Sequence, residues 1–393
     1  MRFIINSCHT NTTLEGKAYI TKLAGFLPNN PIENEEMEQY LGMVGNEPSK
    51  ARRIVLRSNG ITKRHYVLNR MGQISHNNAQ LAAQAIKKLY SEDFSVEDLE
   101  MIACGTSLAD HILPSLASAV HGEIKGRPME IFSQAGACCS GMHALKFGYL
   151  SVLSGNTKNA ITSGSEMISP MFLSKNYEPE YEKLKELEER PIIAFEKEFL
   201  RWMLSDGAGA ALIQNKPNEK GLSLQINWIE TVSFAHELET CMYSAASKSN
   251  SDGNLKGWKE FTPNELIEQS VLSIKQDVRL LEKNIAQTGA KELAKVMERR
   301  GLEATQVDYL LPHISSEFFR KKVADALVEN GIGVPQEKWF TNLTKVGNVG
   351  AASIYLMLEE LFNSGKLLEG NKILCLVPES ARFSYAYALL TVC

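Results

Sequence analysis

Apolar and polar positions along this chain switch between a period of two and a period near 3.6, and the switches mark out its elements. Residues 18–26 (AYITKLAGF) alternate and run into Leu27-Pro28-Asn29-Asn30, a strand that ends in a turn. Residues 34–41 predict a short helix, and residues 51–70 form a polar, basic stretch around an Asn59-Gly60 turn. Residues 75–90 place Ala79, Leu81, Ala82, Ala85, Ile86 and Leu89 on one helical face. A strand at 99–105 and a helix at 113–121 follow. In residues 131–166 a short segment ends in small residues and Cys138-Cys139 opens an apolar helical pattern. Ser154-Gly155 stops that helix, and a strand at 159–163 leads to Glu166.

Beyond this point the pattern loosens. Residues 176–190 are rich in Glu, Lys and Tyr and predict a surface excursion. Residues 195–203 predict a helix, and Asp206-Gly207-Ala208-Gly209-Ala210-Ala211 leads into a strand without the Lys-Ser/Thr of a phosphate-binding loop. A strand at 222–232, a loop at 246–257 and one or two long helices within 263–300 come next. A strand at 309–312, a helix at 316–330 and a closing strand–helix–strand unit complete the reading.

The chain also repeats itself weakly. With Cys139 set against Asn348, CSGMHALKFGYLSVLSG faces NVGAASIYLMLEELFNSG, Gly141 opposite Gly350. Each copy is followed by a strand, leading to Glu166 in one and Glu379 in the other. This predicts a duplicated α/β fold with halves at residues 1–220 and 221–393. The sites of such folds sit where parallel strands end and helices begin.

Composition narrows the function classes. The 393 residues are 44% hydrophobic and 22% charged with a net charge of −4, values of an ordinary globular enzyme that give no general case for nucleic acid or an anionic membrane. The seven cysteines, Cys8, Cys104, Cys138, Cys139, Cys241, Cys375 and Cys393, show no metal-ligand spacing. No metal site is expected. An odd cysteine count in apolar runs predicts a reducing, cytoplasmic setting, with no secretory leader and no membrane span.

The candidate chemistry is Cys139, His313 and Asn348. A cysteine where a turn enters a helix meets that helix's N–H groups and positive end, which favours a thiolate. His313 closes a strand in Leu310-Leu311-Pro312-His313 and can move a proton near neutral pH. Asn348, among small neighbours, offers a neutral donor for a developing oxyanion. Glu166, at a strand end, is either a general base or a salt-bridge partner.

These segments, in this order, resemble the ketosynthase III family of the thiolase superfamily. Arg57-Ser58-Asn59-Gly60-Ile61-Thr62-Lys63-Arg64-His65 is similar to its Gly-Ile-x-x-Arg segment, and Ala137-Cys138-Cys139-Ser140-Gly141-Met142 to its nucleophile segment. The Asp206–Ala211 run, Pro312-His313 and Gly347-Asn348-Val349-Gly350 match further pieces. There are departures: His313 is followed by Ile314-Ser315-Ser316, and the Gly-rich segment before the last strand is Pro378-Glu379-Ser380-Ala381-Arg382-Phe383. Arg53 stands where an aromatic residue is expected against a CoA adenine, which argues against plain acetyl-CoA priming.

The resemblance implies a five-layered αβαβα thiolase fold, usually a homodimer, with Cys139 as nucleophile because Ser140-Gly141 follows it. His313 and Asn348 would hold the enolate and oxyanion, and the backbone N–H groups of Cys139 and Ser380 would form the acyl oxyanion hole. No metal or organic cofactor is implied; the acyl group arrives on the phosphopantetheine of an acyl carrier protein or on CoA. Arg53, Arg57, Arg320 and Lys321 are candidates for meeting the carrier at the entrance. Glu166 and the Glu379-Ser380-x-Arg382-Phe383 ending look closest to enzymes that form dialkylresorcinols and alkyl-cyclohexane-1,3-diones. There Glu166 would be the base for ring closure. Alternatives are fatty-acid initiation or elongation, acyl transfer to an alcohol or amine, and a non-catalytic partner subunit.

Overall fold

The computed structural model describes residues 16–177, 199–249 and 251–393. Its first strand, β1 (Tyr19–Phe26), precedes helix α1 (Asn78–Lys87), which starts at a capping box. The Asn77 side chain accepts from the Gln80 backbone N–H at 2.8 Å, and the Gln80 side chain accepts from that of Asn77 at 3.1 Å. Strand β2 (Met101–Thr106), helix α2 (Leu116–Ile124), strand β3 (Glu130–Ala135), helix α3 (Cys139–Leu153), and strands β4 (Asn159–Glu166) and β5 (Gly207–Gln214) complete the first half. The second half repeats the plan: β6 (Leu224–Ser233), α4 (Val278–Arg300), β7 (Tyr309–Pro312), α5 (Phe318–Glu329), α6 (Ser353–Phe362), β8 (Lys372–Glu379) and β9 (Ser384–Val392).

Strand order makes the duplication plain. One sheet runs β7-β8-β9-β6-β1-β5-β4-β2-β3. Read outward from the β1–β6 junction, each half has the same sequence of neighbours, and a parallel bridge from Leu310 to Trp339 stands in the second half where β3 stands in the first. β2 pairs in parallel with β3 and β4, and β7 with β8, while β5 and β9 run antiparallel to the strands beside them. Helices α1 and α2 cover the outer face of the first half. Helix α3 lies between the halves, touching β2, β4 and β5 on one side and β8 and β9 on the other, and α6 packs beside it. These are the five layers expected from the sequence. The central strands are buried on both faces, so they read as continuous apolar or small runs instead of alternating ones.

Small residues bring the halves together. An added Cβ at Gly141 of α3 or at Gly164 of β4 would sit 2.1 Å from the Ala351 carbonyl oxygen, on the segment that leads into α6. The Tyr355 hydroxyl donates to the Gly141 carbonyl at 2.9 Å across the same contact.

Several expectations need correction. The basic stretch 51–70 contains a helix, Arg52–Asn59, ended by Gly60 in the left-handed region. The supposed loop 246–257 is a small hairpin, Ala246–Lys248 against Leu255–Gly257. Residues 263–300 divide into the helix Pro263–Glu268 and α4, separated by a strand, Lys275–Gln276, that pairs with Met242–Tyr243. Such two- and three-residue strands lie below what periodicity can resolve. Residues 1–15, most of the 176–190 excursion and the start of the 195–203 helix fall outside the described residues.

Gly141→Ala is expected to destabilise the fold by about 2 kcal/mol or more, because the facing group is rigid backbone. Denaturant unfolding of that variant checks this; an unchanged midpoint would contradict the close packing of α3 on the α6 lead-in.

Candidate active site

The turn Ala137-Cys138 and the first residues of α3 present two thiols to different surroundings. Cys139 is fully buried; its Sγ lies 3.2 Å from the Val377 carbonyl oxygen, and it packs in the central core with Met142, Leu145 and Val377. Cys138 is half-buried and lines two adjoining cavities. The first holds Cys138, Ser107, Glu166, Asn348 and Gly350 with Ile168, Leu200, Met203, Leu204, Met242 and Ile274. The second holds Cys138 and His313 with Leu281, Ile285, Phe319 and Val323, and Ser315 and Ser380 lie on both walls. The expected grouping of a cysteine with His313 and Asn348 is therefore present, but its cysteine is Cys138. Cys139, expected as the nucleophile, lies instead in the core, away from both cavities.

Its partners are held firmly. The Asn348 N–H donates to Met203 O at 3.1 Å, its carbonyl accepts from Ser205 N–H at 2.9 Å, and its Oδ1 accepts from Gly350 N–H at 2.9 Å. That fixes the amide, and its Nδ2 donors have no partner among the described residues. His313 ends β7, with its backbone N–H on Leu376 O at 2.8 Å. Its Nε2 is buried without a hydrogen-bond partner among the described residues. Burial pushes the imidazole down to about 4, so at neutral pH the ring is uncharged and can donate or accept one proton-bearing hydrogen bond.

Two carboxylates cross between the halves. Glu379, at the end of β8, accepts from the backbone N–H groups of Ala137 at 3.0 Å and Cys139 at 3.1 Å through one oxygen. Glu166, at the end of β4, accepts from Ala351 N–H at 2.9 Å on the lead-in to α6, and from Ser107 N–H at 3.0 Å and Ser107 Oγ at 2.6 Å. Each strand-end glutamate thus seats the start of the other half's central helix, satisfying donors that a helix start leaves open. Burial raises the Glu166 carboxyl to about 7, against the opposing pull of these donors.

This arrangement reverses the expected thiolate. Burial, then the charge of Glu379 and then that of Glu166, push the Cys138 thiol up, and the helix end is already matched by Glu379. The Cys139 N–H, expected in an oxyanion hole, is the group Glu379 occupies. Glu166 lines the first cavity as expected, with one oxygen held by three donors and the other more loosely, by Thr106 Oγ1 at 3.4 Å and Ser107 N–H at 3.3 Å.

Of the basic candidates, Arg320 pairs with Glu317 and Lys321 with Asp325 on α5 itself, as charges on a solvated helix face do. Arg53 and Arg57 are exposed on the helix Arg52–Asn59, with no ion pair among the described residues. The described residues hold no cluster of ligands suited to a metal ion, and no helix among them is long and apolar enough to cross a membrane.

The profile of the 3-oxoacyl-[acyl-carrier-protein] synthase III C-terminal family matches residues 297–390, which carry His313, Asn348 and Glu379. A beta-ketoacyl-[acyl-carrier-protein] synthase III of Clostridium perfringens is 25% identical over 357 residues, covering 90% of this chain and 94% of that protein. The chain is thus similar to ketosynthase III proteins, through the family match in its C-terminal residues and through a likeness to the curated relative that runs along most of its length. By class it is a condensing acyltransferase. Three solved structures share its fold. They are the tetronic acid condensing enzyme AbyA1 (TM-score 0.72, 18% identity, 95% of this chain and 99% of that one), the 3-oxoacyl-[acyl-carrier-protein] synthase III of Aquifex aeolicus (0.69, 21%, 96% and 100%) and OleA of Xanthomonas campestris with bound lauric acid and lauroyl-CoA (0.67, 19%, 95% and 99%).

Ser107, Ser315, Met242, Ile274 and Gln276 line this site without any sequence signal that announced them. Helical phase gave no signal for Cys138 either, since its spacing of four, seven and eleven residues to the buried Met142, Leu145 and Tyr149 reads as part of the same face.

Glu379→Gln keeps an acceptor for both N–H groups and removes the charge. Alkylation of Cys138 by iodoacetamide, followed across pH by peptide mass spectrometry, is expected to shift to lower pH by about one unit, since a neighbouring negative charge raises a thiol's pKa. An unchanged profile in a folded variant would contradict the electrostatic role of Glu379.

Proposed function

We propose that the chain condenses two acyl thioesters, with Cys138 as the acyl-carrying nucleophile, and closes the product to a 2,5-dialkylcyclohexane-1,3-dione, a dialkylresorcinol precursor. The observation that carries this reading is the pair of apolar cavities, roughly 520 and 430 Å3 and open to solvent, that meet at Cys138, Ser315 and Ser380. Each is proposed to take one alkyl tail.

The steps follow from the groups at the junction. Cys138 exchanges with an incoming acyl thioester, forming its own thioester and releasing the carrier thiol. A 3-oxoacyl thioester then loses a proton from the carbon on the alkyl side of its 3-oxo group, and that carbanion attacks the Cys138-bound acyl carbon, expelling the Cys138 thiolate, on which the proton ends. The Asn348 amide and the uncharged His313 ring are neutral donors for the oxygens that gain charge. When the acyl group is α,β-unsaturated, the carbon between the ketone and the carrier thioester then loses its proton and adds to the double bond, closing the ring, the proton returning to the carbon beside the new ketone; hydrolysis of the carrier thioester and loss of CO2 leave the dione. Glu166, whose carboxyl titrates near 7 and lines the first cavity, is the proposed base for ring closure, through its more loosely held oxygen.

The acyl groups are proposed to arrive on an acyl carrier protein or CoA, with Arg53 and Arg57 as exposed cations for an acidic carrier. Strand β3 ends the sheet with its outer side unpaired and Ile131 41% exposed, which supports a homodimer joined at that edge.

Incubation with 3-oxoacyl and 2-enoyl thioesters, read by intact-protein and product mass spectrometry, tests this. Cys138→Ala is expected to abolish the acyl adduct, and Glu166→Gln to keep the adduct while lowering the cyclic-to-linear product ratio at least ten-fold. Persistent acylation of Cys138→Ala, or equal loss of both steps in Glu166→Gln, would refute the respective assignments.

A further inference from the structure

The polar groups on the wall of the first cavity are nearly all committed within the protein. Ser107 Oγ donates to Glu166, Ser205 Oγ donates to His65 O at 3.1 Å, and Asn348 Oδ1 accepts from Gly350. Gln276, like Asn348 through its Nδ2, keeps an open group. Its side chain is 3% exposed, its Nε2 donates to Ser380 Oγ at 2.9 Å, and its Oε1 is a buried acceptor with no partner among the described residues. The Ser380 hydroxyl finds only the weak Met242 sulfur, at 3.7 Å. A buried acceptor left unpaired is costly, and a ligand group that satisfies it is favoured over one that does not.

The backbone holds this pair in place. Gln276 pairs with Met242 in the two-stranded ladder of the 234–277 segment. The N–H groups of Cys241 and Met242 donate to Ala381 O at 2.8 and 3.2 Å, tying that ladder to the turn between β8 and β9 that carries Ser380. Ser380 lies on the walls of both cavities, beside Cys138. A polar pair thus stands where the two apolar cavities meet, set to face a substrate oxygen close to the reacting carbon.

We propose that Gln276 and Ser380 form a specificity subsite for the 3-oxo group of a 3-oxoacyl thioester. The enol of that group has one oxygen that can do both things the pair asks: its O–H donates to Gln276 Oε1 and its lone pair accepts from the Ser380 O–H. A saturated acyl chain places a methylene there and leaves both groups unsatisfied. The proposal rests on the condensing reading and names the feature by which its carbon nucleophile is selected.

Two non-reactive pantetheine amides that differ only in the 3-oxo group test it by calorimetry. The wild-type protein is expected to bind the 3-oxoacyl amide about ten-fold more tightly than the saturated one. Gln276→Leu and Ser380→Ala should each lower affinity for the 3-oxoacyl amide about ten-fold and leave the saturated amide unchanged. Ser380→Ala removes only a half-buried hydroxyl, so it keeps the test open if Gln276→Leu fails to fold. Equal affinities in the wild type, or a preference surviving in either folded variant, would overturn the subsite. Because binding is measured without chemistry, loss of the preference is separable from a failure of Cys138 acylation, which would instead sink the condensing reading.

Discussion

The structure depends on an exchange of carboxylates between its two halves. Each half ends a central strand in a glutamate, and each glutamate reaches across to the backbone N–H groups that begin the other half's central helix. A helix start needs acceptors, and here they come from the opposite half. Docking of the halves and formation of the two helix starts are therefore one event. The glycine contacts on the Ala351 carbonyl demand the same closeness, since a methyl group at Gly141 or Gly164 would hold the layers apart.

That exchange also sets the chemistry at the junction. Glu379 grips the N–H groups on either side of Cys138, so the turn offers this one thiol to the cavities while Cys139 turns into the core. The same carboxylate cancels the activating effect of the helix end. Cys138 rests as a thiol beside an uncharged imidazole and a fixed amide, a neutral site in which charge develops only when a thioester reacts. Neutral donors prepositioned at such a site stabilise that charge without rearranging.

Much of this was legible in the sequence. The repeat of residues 139–155 at 348–365 foretold the duplicated sheet and paired Glu166 with Glu379, because both copies obey the same packing demand. His313 and Asn348 were found because a strand end and a Gly-flanked turn each carry a local signature. The structure places Cys138, and not Cys139, on the cavities: the Ser140-Gly141 motif favoured Cys139, helical phase offered no correction because Cys138 keeps step with Met142, Leu145 and Tyr149, and one residue on a helix turns a side chain by about 100°. The basic residues of α5 looked available because ion pairs to Glu317 and Asp325 on the same helix do not show in composition. The short ladder that carries Met242 and Gln276 to the cavity was invisible because two-residue strands have no period, and their pairing partner lies more than thirty residues away.

The account's central claim is that Glu379 presents Cys138, and not Cys139, to the substrate. An experimental structure of the enzyme trapped with an acyl thioester tests this most directly. It should show the acyl group joined to Sγ of Cys138, with the Glu379 carboxylate still bridging the N–H groups of Ala137 and Cys139. Acyl density on Cys139, or a Glu379 side chain swung away from that turn, would contradict it.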